Sequence, residues 1–122
     1  MGHSLSFFKL SMLDKDVLKA KIKMQTRVRD WYVIKVFDDK NVRVGQLLWG
    51  FIVDDPTERF SPGDYVCTSS IEAVSKNVIV TAKGSQYVTE GTGKEFDALF
   101  SEIELLRRGY SPTQVYRLRN SK

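Results

Sequence analysis

The stretch LKAKIKMQTRVR, residues 18–29, alternates two kinds of side chain along almost its whole length. One parity carries Leu18, Ala20, Ile22, Met24, Thr26 and Val28, and the other carries Lys19, Lys21, Lys23, Gln25, Arg27 and Arg29. Because successive side chains of a β-strand point to opposite faces, this pattern predicts a strand with an apolar face and a cationic face. A helix would instead spread the same residues around its circumference.

Further strands follow, each bounded by turn signals. The β-branched and aromatic runs are WYVIKVF (31–37), VRVGQLLWGFIV (42–53), YVCTSSI (65–71), VIVT (78–81) and QYVT (86–89). They are separated by DDKN (38–41), by SPGD (61–64), which fits a type II turn, and by Lys83-Gly84 at a tight hairpin. About six short strands without an intervening helix predict an antiparallel meander or a small barrel.

The C-terminal quarter changes to helical spacing. Phe96, Leu99, Phe100, Ile103 and Leu106 follow the spacing of one helix face. Thr92 and Glu95 are spaced as a capping box, and Gly109 is suited to the C′ position. Ser111-Pro112-Thr113-Gln114 predicts the start of a second short helix. The expected fold class is therefore α+β, a β-rich part followed by two C-terminal helices.

Length and composition fit one domain over residues 1–122, β-rich at 17–90 and helical at 92–119. Residues 1–10 are expected to be flexible or vector-derived. With 42% hydrophobic and 28% charged residues and no apolar run near the roughly 20 needed to span a bilayer, we expect no membrane association. The N-terminus lacks the pattern of a signal peptide, and the single Cys67 fits a reducing cytoplasm.

The charge is segregated along the chain. Residues 1–45 carry ten Lys/Arg against five Asp/Glu, residues 46–106 carry four against ten, and residues 107–122 carry five against none. If the two basic ends meet, they form a surface that attracts polyanions. Alternatively, the lysines on the first strand protect a sheet edge from pairing with other chains.

Aromatic residues lie on the strands next to the basic ribbon: Trp31, Tyr32, Trp49, Phe51 and Tyr65. Small barrels that bind single-stranded nucleic acid combine cations with stacking rings, although rings of this kind also form cores. Tyr32 is the expected exception to burial because its parity opposes that of Trp31. The candidate nucleic-acid-binding residues are Lys19, Lys21, Lys23, Arg27, Arg29, Tyr32, Arg107, Arg108, Arg117 and Arg119.

The sequence favours no catalytic site and no cofactor. Cys67 has no plausible histidine partner, and Gly91-Thr92-Gly93-Lys94 lacks the first glycine of a phosphate-binding loop. Asp54, Asp55, Glu58 and Asp64 form a dense carboxylate group. It could bind a metal ion, but its spacing matches no EF-hand, and aspartates beside prolines also form turns.

The run PGDYVCTSSI (62–71), followed by TAKGSQYVTEG (81–91) and a terminal helix, resembles small uncharacterised bacterial and prophage-encoded proteins. That resemblance carries no catalytic residues. It implies a setting in which small proteins act by binding and blocking larger assemblies.

Two functions remain open. The first is a non-catalytic protein that binds a polyanionic partner, nucleic acid or a nucleoprotein complex, through the basic strand face and basic tail. The second is a protein-interaction inhibitor or regulator that uses the acidic middle and the aromatic strands. The sequence does not indicate an oligomeric state.

Overall fold

The fold is a ring of five strands with a sixth strand and two helices added to it. A computed structural model describes residues 25–121, so Lys19, Lys21 and Lys23 lie outside the described residues. The strands are β1 (Thr26–Phe37), β2 (Arg43–Asp54), β3 (Tyr65–Ser75), β4 (Val78–Thr81), β5 (Gln86–Thr89) and β6 (Lys94–Leu99). A 3₁₀ turn (Phe100–Glu102) and helices α1 (Ile103–Arg107) and α2 (Pro112–Asn120) complete the described chain.

The strand directions explain how the ring closes. Each of the strands β1 to β5 pairs antiparallel with the next one. After four reversals β5 runs in the direction of β1, so the closing pair, Thr26–Val28 with Tyr87–Thr89, is parallel. The expected α+β class is confirmed, although the sheet is mixed, since β6 also pairs parallel with β1.

Strand β1 is the central strand, and it is bent in the middle. Residues 26–29 of the first predicted strand and residues 31–37 of the second belong to one element, which pairs with β2 along one edge and with β5 and then β6 along the other. Its register breaks between Arg29 and Tyr32, where Asp30 has a φ of 49°. Residues 90–93 between β5 and β6 pass the same point, so both edges of the sheet change at this bulge.

Trp31 fills the break. Its indole N–H donates to the carbonyls of Glu90 at 3.1 Å and Gly91 at 3.3 Å. A Cβ atom on Gly93 would lie 2.4 Å from three carbons of the indole ring. Glycine is therefore required at position 93 because the backbone lies directly against Trp31.

Two apolar cores lie on opposite faces of the ring strands. The ring core is formed by all five ring strands and consists of Val28, Leu48, Ile52, Val66, Ile79 and Tyr87. The helix-side core lies on the outer face and consists of Ile34, Val36, Leu47, Trp49, Ala98, Ile103, Leu106 and Val115. In the described half of the ribbon the expected alternation is confirmed: Thr26 and Val28 are buried, while Arg27 and Arg29 are exposed.

The helix expected after Thr92 is wrong over its first half. Residues 94–99 form β6, because Phe96 and Ala98 alternate with exposed Glu95 and Asp97 and the free edge of β1 offers a six-residue ladder. The chain becomes helical only at Phe100. Ile103 and Leu106 are buried as expected, but Leu99 is 46% and Phe100 70% exposed.

The end of this segment follows the sequence closely. Gly109 has a φ of 103°, and the Tyr110 N–H donates to the Leu105 carbonyl at 3.1 Å, which ends α1. Ser111 and Gln114 form the reciprocal capping box of α2, with Pro112 as its first residue. The predicted second helix is therefore confirmed.

Candidate nucleic-acid interface

Three strands place an arginine and two aromatic rings side by side on the outer face. In the sheet register Arg29 of β1 is opposite Phe51 of β2, and Phe51 is opposite Tyr65 of β3. The Arg29 guanidinium lies over the Phe51 ring, 5.2 Å from its centroid. Together with Arg107, which borders Tyr65, these residues form what we call the aromatic–arginine row.

Helix α1 borders the row at its Tyr65 end. The Tyr65 hydroxyl donates to the Arg107 carbonyl at 2.6 Å, and a Cβ atom on Gly109 would lie 3.0 Å from the Tyr65 ring. Tyr65 remains 37% exposed. Beside it is an open depression of about 380 Å³, whose lining includes Asp64, Cys67 and Arg107.

A buried tryptophan, Trp49, packs against both rings of the aromatic–arginine row. Trp49 is buried and stacks on Tyr65 with centroids 6.1 Å apart, while Phe51 meets it edge-on at 5.1 Å. The Trp49 indole N–H donates to the Leu106 carbonyl at 3.2 Å. The exposed Tyr65 ring and the half-buried Phe51 ring are therefore held by a buried tryptophan whose indole N–H is bound to α1.

Tyr32 is part of this support. It is half-buried, and its ring meets Trp49 edge-on at 6.4 Å. The expected parity difference from Trp31 exists, but the bulge at Asp30 turns Tyr32 toward the helix-side core. Tyr65 is the exposed ring of the row, while Phe51 is half-buried like Tyr32. Phe51 lies about as far beyond the 38–41 turn as Arg29 lies before it, so this spacing could have identified Phe51 but not Tyr65.

Cys67 lies next to Trp49 in the same register. Burial raises the pKa of its thiol to about 11, against the opposing attraction of Arg107. At neutral pH it is a protonated, poorly nucleophilic group.

Most of the candidate arginines, including Arg29 of the row, form ion pairs with carboxylates. Arg27 pairs with Glu90 at 3.5 Å, Arg29 with Asp30, and Arg108 with Glu104 at 4.0 Å. These pairs are exposed, so they contribute little to stability and can exchange for another anion. Arg117 is exposed and forms none of the ion pairs of the described residues.

Arg119 has a structural role instead. Its guanidinium donates to both carboxylate oxygens of Glu102 and to the Asp97 carbonyl, and it lies over the Phe96 ring. The hydrogen bond to Glu102 raises its pKa above the ordinary value. Arg119 thus binds α2 to β6.

The acidic group around Asp55 forms a loop rather than a cluster of free carboxylates. Asp55 Oδ1 accepts from the Thr26 hydroxyl and from the hydroxyl and N–H of Thr57, and Oδ2 accepts from the N–H groups of Arg59 and Phe60. Asp64 accepts from the Ser61 N–H. Residues 25–121 contain no group of three side chains placed to hold a metal ion.

A comparison with protein families identifies the family to which this chain belongs. The profile of the domain of unknown function DUF6957 matches residues 11–105. The chain belongs to this family. Membership of an uncharacterised family, expected from the runs at 62–71 and 81–91, is thus confirmed. No curated protein and no solved structure matches the chain.

The DUF6957 match covers Arg29, Phe51 and Tyr65, whereas Arg107 and α2 lie beyond it. Within the described part of this DUF6957 chain, no helix is long and apolar enough to cross a membrane.

Proposed function

We propose that this protein is a non-catalytic binding protein for single-stranded nucleic acid, and that the strand lies along the aromatic–arginine row. The observation that carries the proposal is the register that aligns Arg29, Phe51 and Tyr65 on one face of the sheet, with Arg29 and Tyr65 exposed and Phe51 half-buried between them. The single Cys67 favours a reducing cytoplasm as the place of this activity.

The chemistry of the row suits a single strand. Aromatic rings and guanidinium planes stack on bases of any sequence, and arginines bind the phosphates between them. Trp49 fixes the rings before any ligand arrives, so little conformational entropy would be lost on binding. The exposed pair of Arg29 with Asp30 can give way to a phosphate.

The distribution of charge supports the same reading. Residues 25–121 carry thirteen Lys/Arg and thirteen Asp/Glu, so the net charge of +4 comes from residues 1–24 and Lys122. Lys19, Lys21 and Lys23 precede Arg27 and Arg29 in the chain. We propose that these lysines add phosphate contacts to those of the row.

The proposal is tested by fluorescence anisotropy with a labelled oligothymidylate of about 20 nucleotides, titrated between about 50 and 200 mM salt. Tyr65→Leu keeps an apolar side chain but removes the ring, and we expect binding to weaken about 5- to 100-fold. Arg29→Gln combined with Arg107→Gln should reduce the slope of log affinity against log salt by about 1.4.

Lys76→Gln combined with Lys83→Gln is the matched control. It removes the same charge from exposed positions on the hairpins at either end of β4 and should leave the slope close to that of the wild type. Equal slopes for the two double variants would refute the role of the row, as would a wild type that does not bind at low salt.

A further inference from the structure

A second surface lies at the far end of β1. Leu99 is opposite Phe37 in the parallel register of β6 and β1, and Phe100 follows it in the 3₁₀ turn. Val44 of β2 is 54% exposed and borders the same region, where it and Phe100 line one shallow depression. We call Phe37, Val44, Leu99 and Phe100 the apolar end patch.

The exposure of this patch is unusual for its residue types. Phe100 is 70% and Leu99 46% exposed, and contiguous apolar side chains at a surface typically mark a site of interaction. Phe37, Leu99 and Phe100 also line a depression of about 300 Å³ together with Asp38 and Asp39. That volume is large enough for one big apolar side chain of a partner.

The charges around the patch are mixed, but the depression beside Phe37 and Phe100 is lined by Asp38 and Asp39 and by no lysine or arginine. Arg43 is opposite Phe37, and Arg107 lines the depression beside Val44. Residues 95–106 contain four carboxylates and neither lysine nor arginine. Asp38, Asp39 and Asp97 take part in none of the ion pairs within residues 25–121. Asp38 stabilises the β1–β2 turn, because its carboxylate accepts hydrogen bonds from the N–H groups of Lys40 and Val42. Asp39 is exposed, so its carboxylate is the anion best placed to contact a ligand.

The backbone at this end of β6 is already occupied. Arg119 donates to the Asp97 carbonyl at 3.0 Å, and Glu102 accepts from the Leu99 N–H at 2.9 Å. Since Arg119 and Glu102 also bind each other, they close this part of the free sheet edge against an added strand. A partner would therefore contact side chains and would not extend the sheet.

We propose that the apolar end patch docks a basic amphipathic segment of a partner protein. A large apolar side chain of the segment enters the depression between Phe37 and Phe100, and a lysine or arginine beside it pairs with Asp39. Phe37 lies eight residues beyond Arg29, about 26 Å along a regular strand, so the patch is separate from Arg29, Phe51 and Tyr65, although Arg107 of the row lines the depression beside Val44 and Phe100. The protein could then hold a nucleic acid and a basic protein segment at opposite ends of β1.

The probe is a labelled peptide of about twelve alternating lysines and leucines, titrated with the full chain and followed by anisotropy. A glutamate–leucine peptide with the same leucines is its control. We expect the lysine peptide to bind and the glutamate peptide to bind at least about tenfold more weakly, because Asp38 and Asp39 line the depression that the leucine enters.

Variants of the protein locate the site. Phe100→Ala should weaken binding of the lysine peptide at least about tenfold, since an exposed aromatic anchor is lost. Asp39→Lys should weaken binding and reduce its dependence on salt. Val74→Ala removes a similarly exposed side chain from β3, 59% exposed, and should change nothing. Circular dichroism of each variant checks that the fold is intact.

The proposal fails if the two peptides bind equally, if the wild type does not bind the lysine peptide, or if Phe100→Ala binds like Val74→Ala. Tyr65→Leu should bind the peptide as the wild type does. A loss of nucleic-acid binding alone therefore distinguishes a failure of the row from a failure of the patch.

Discussion

Asp55 shows how a single side chain can fix a loop. Burial raises the pKa of its carboxyl group, but the hydrogen bonds from the Thr57 and Thr26 hydroxyls and from the backbone outweigh that effect. The pKa is therefore held below the ordinary value of 3.8. Because the folded-state pKa is depressed, the ionised carboxylate stabilises the fold above the unfolded-state pKa, and this stabilisation is lost as the pH falls through the folded-state pKa.

Asp55→Asn should lower the free energy of unfolding at pH 7 by about 1–3 kcal/mol, because it weakens a buried set of hydrogen bonds to a charged acceptor. The difference from the wild type should shrink as the pH falls below about 4. Urea denaturation at several pH values measures both effects. Asp54→Asn, at the exposed neighbour, is the control and should stay within about 0.5 kcal/mol.

Cys67 is the basis of a second prediction about a single residue. With its pKa raised to about 11 by burial, the thiol should react with iodoacetamide at neutral pH much more slowly than a free cysteine does. Cys67→Ser should leave nucleic-acid binding unchanged apart from some loss of stability. Rapid alkylation of the folded protein, followed by mass spectrometry, would contradict the burial of this side chain.

Among the elements, β6 shows where a pattern in the sequence is ambiguous. Phe96 and Ala98 fit the period of a strand, while Phe96, Leu99, Phe100 and Ile103 fit that of a helix. The choice is made by tertiary structure, since β1 offers an unpaired edge to residues 94–99. Local spacing alone cannot contain that information.

The exposure of Phe100 in this arrangement can be tested by mutation. Leu106→Ala should cost about 2–5 kcal/mol because Leu106 is fully buried in the helix-side core. Phe100→Ala should cost less than about 1 kcal/mol, because its ring already faces solvent. Thermal or urea denaturation compares the two variants. A large loss for Phe100→Ala would restore the long helix that the sequence suggested.

The break in β1 leads to a prediction about Gly93, which lies against Trp31. Gly93→Ala would place a methyl group within the indole ring of Trp31, so we expect a loss of about 1–3 kcal/mol. Gly45→Ala is the matched control, since the nearest atom to its Cβ would be 3.9 Å away. Equal stability of the two variants would mean that Trp31 can move aside.

At the scale of the whole molecule, local signals gave more of the fold than of the site. The turns, Gly109 and the Ser111 box depend on neighbouring residues, and the sequence predicts them correctly. The parallel pairings and the bulge at Asp30 depend on residues about 60 positions apart. For this reason Tyr32 was expected at the surface, and Phe51 and Tyr65 were not distinguished from core rings.

The prediction for the whole molecule concerns the excess of lysine and arginine over acidic residues outside residues 25–121. Lys21→Gln combined with Lys23→Gln should reduce the salt slope of oligothymidylate binding by roughly 1.5, since each lost phosphate contact retains its counterions. Affinity should fall similarly for oligonucleotides of different sequence. An unchanged slope, measured by anisotropy, would favour edge protection as the role of these lysines.

The parallel closure of the ring also has a kinetic consequence. Four of the five ring pairings join neighbouring segments of chain, but the fifth brings Thr26–Val28 to Tyr87–Thr89 across about 60 residues and contains only three residue pairs. Forming such a long-range contact costs the most loop-closure entropy, and only a few hydrogen bonds offset that cost. We therefore expect the closing pair to form last in folding and to open first. Its amide protons should then exchange with solvent sooner than those of the β1–β2 ladder.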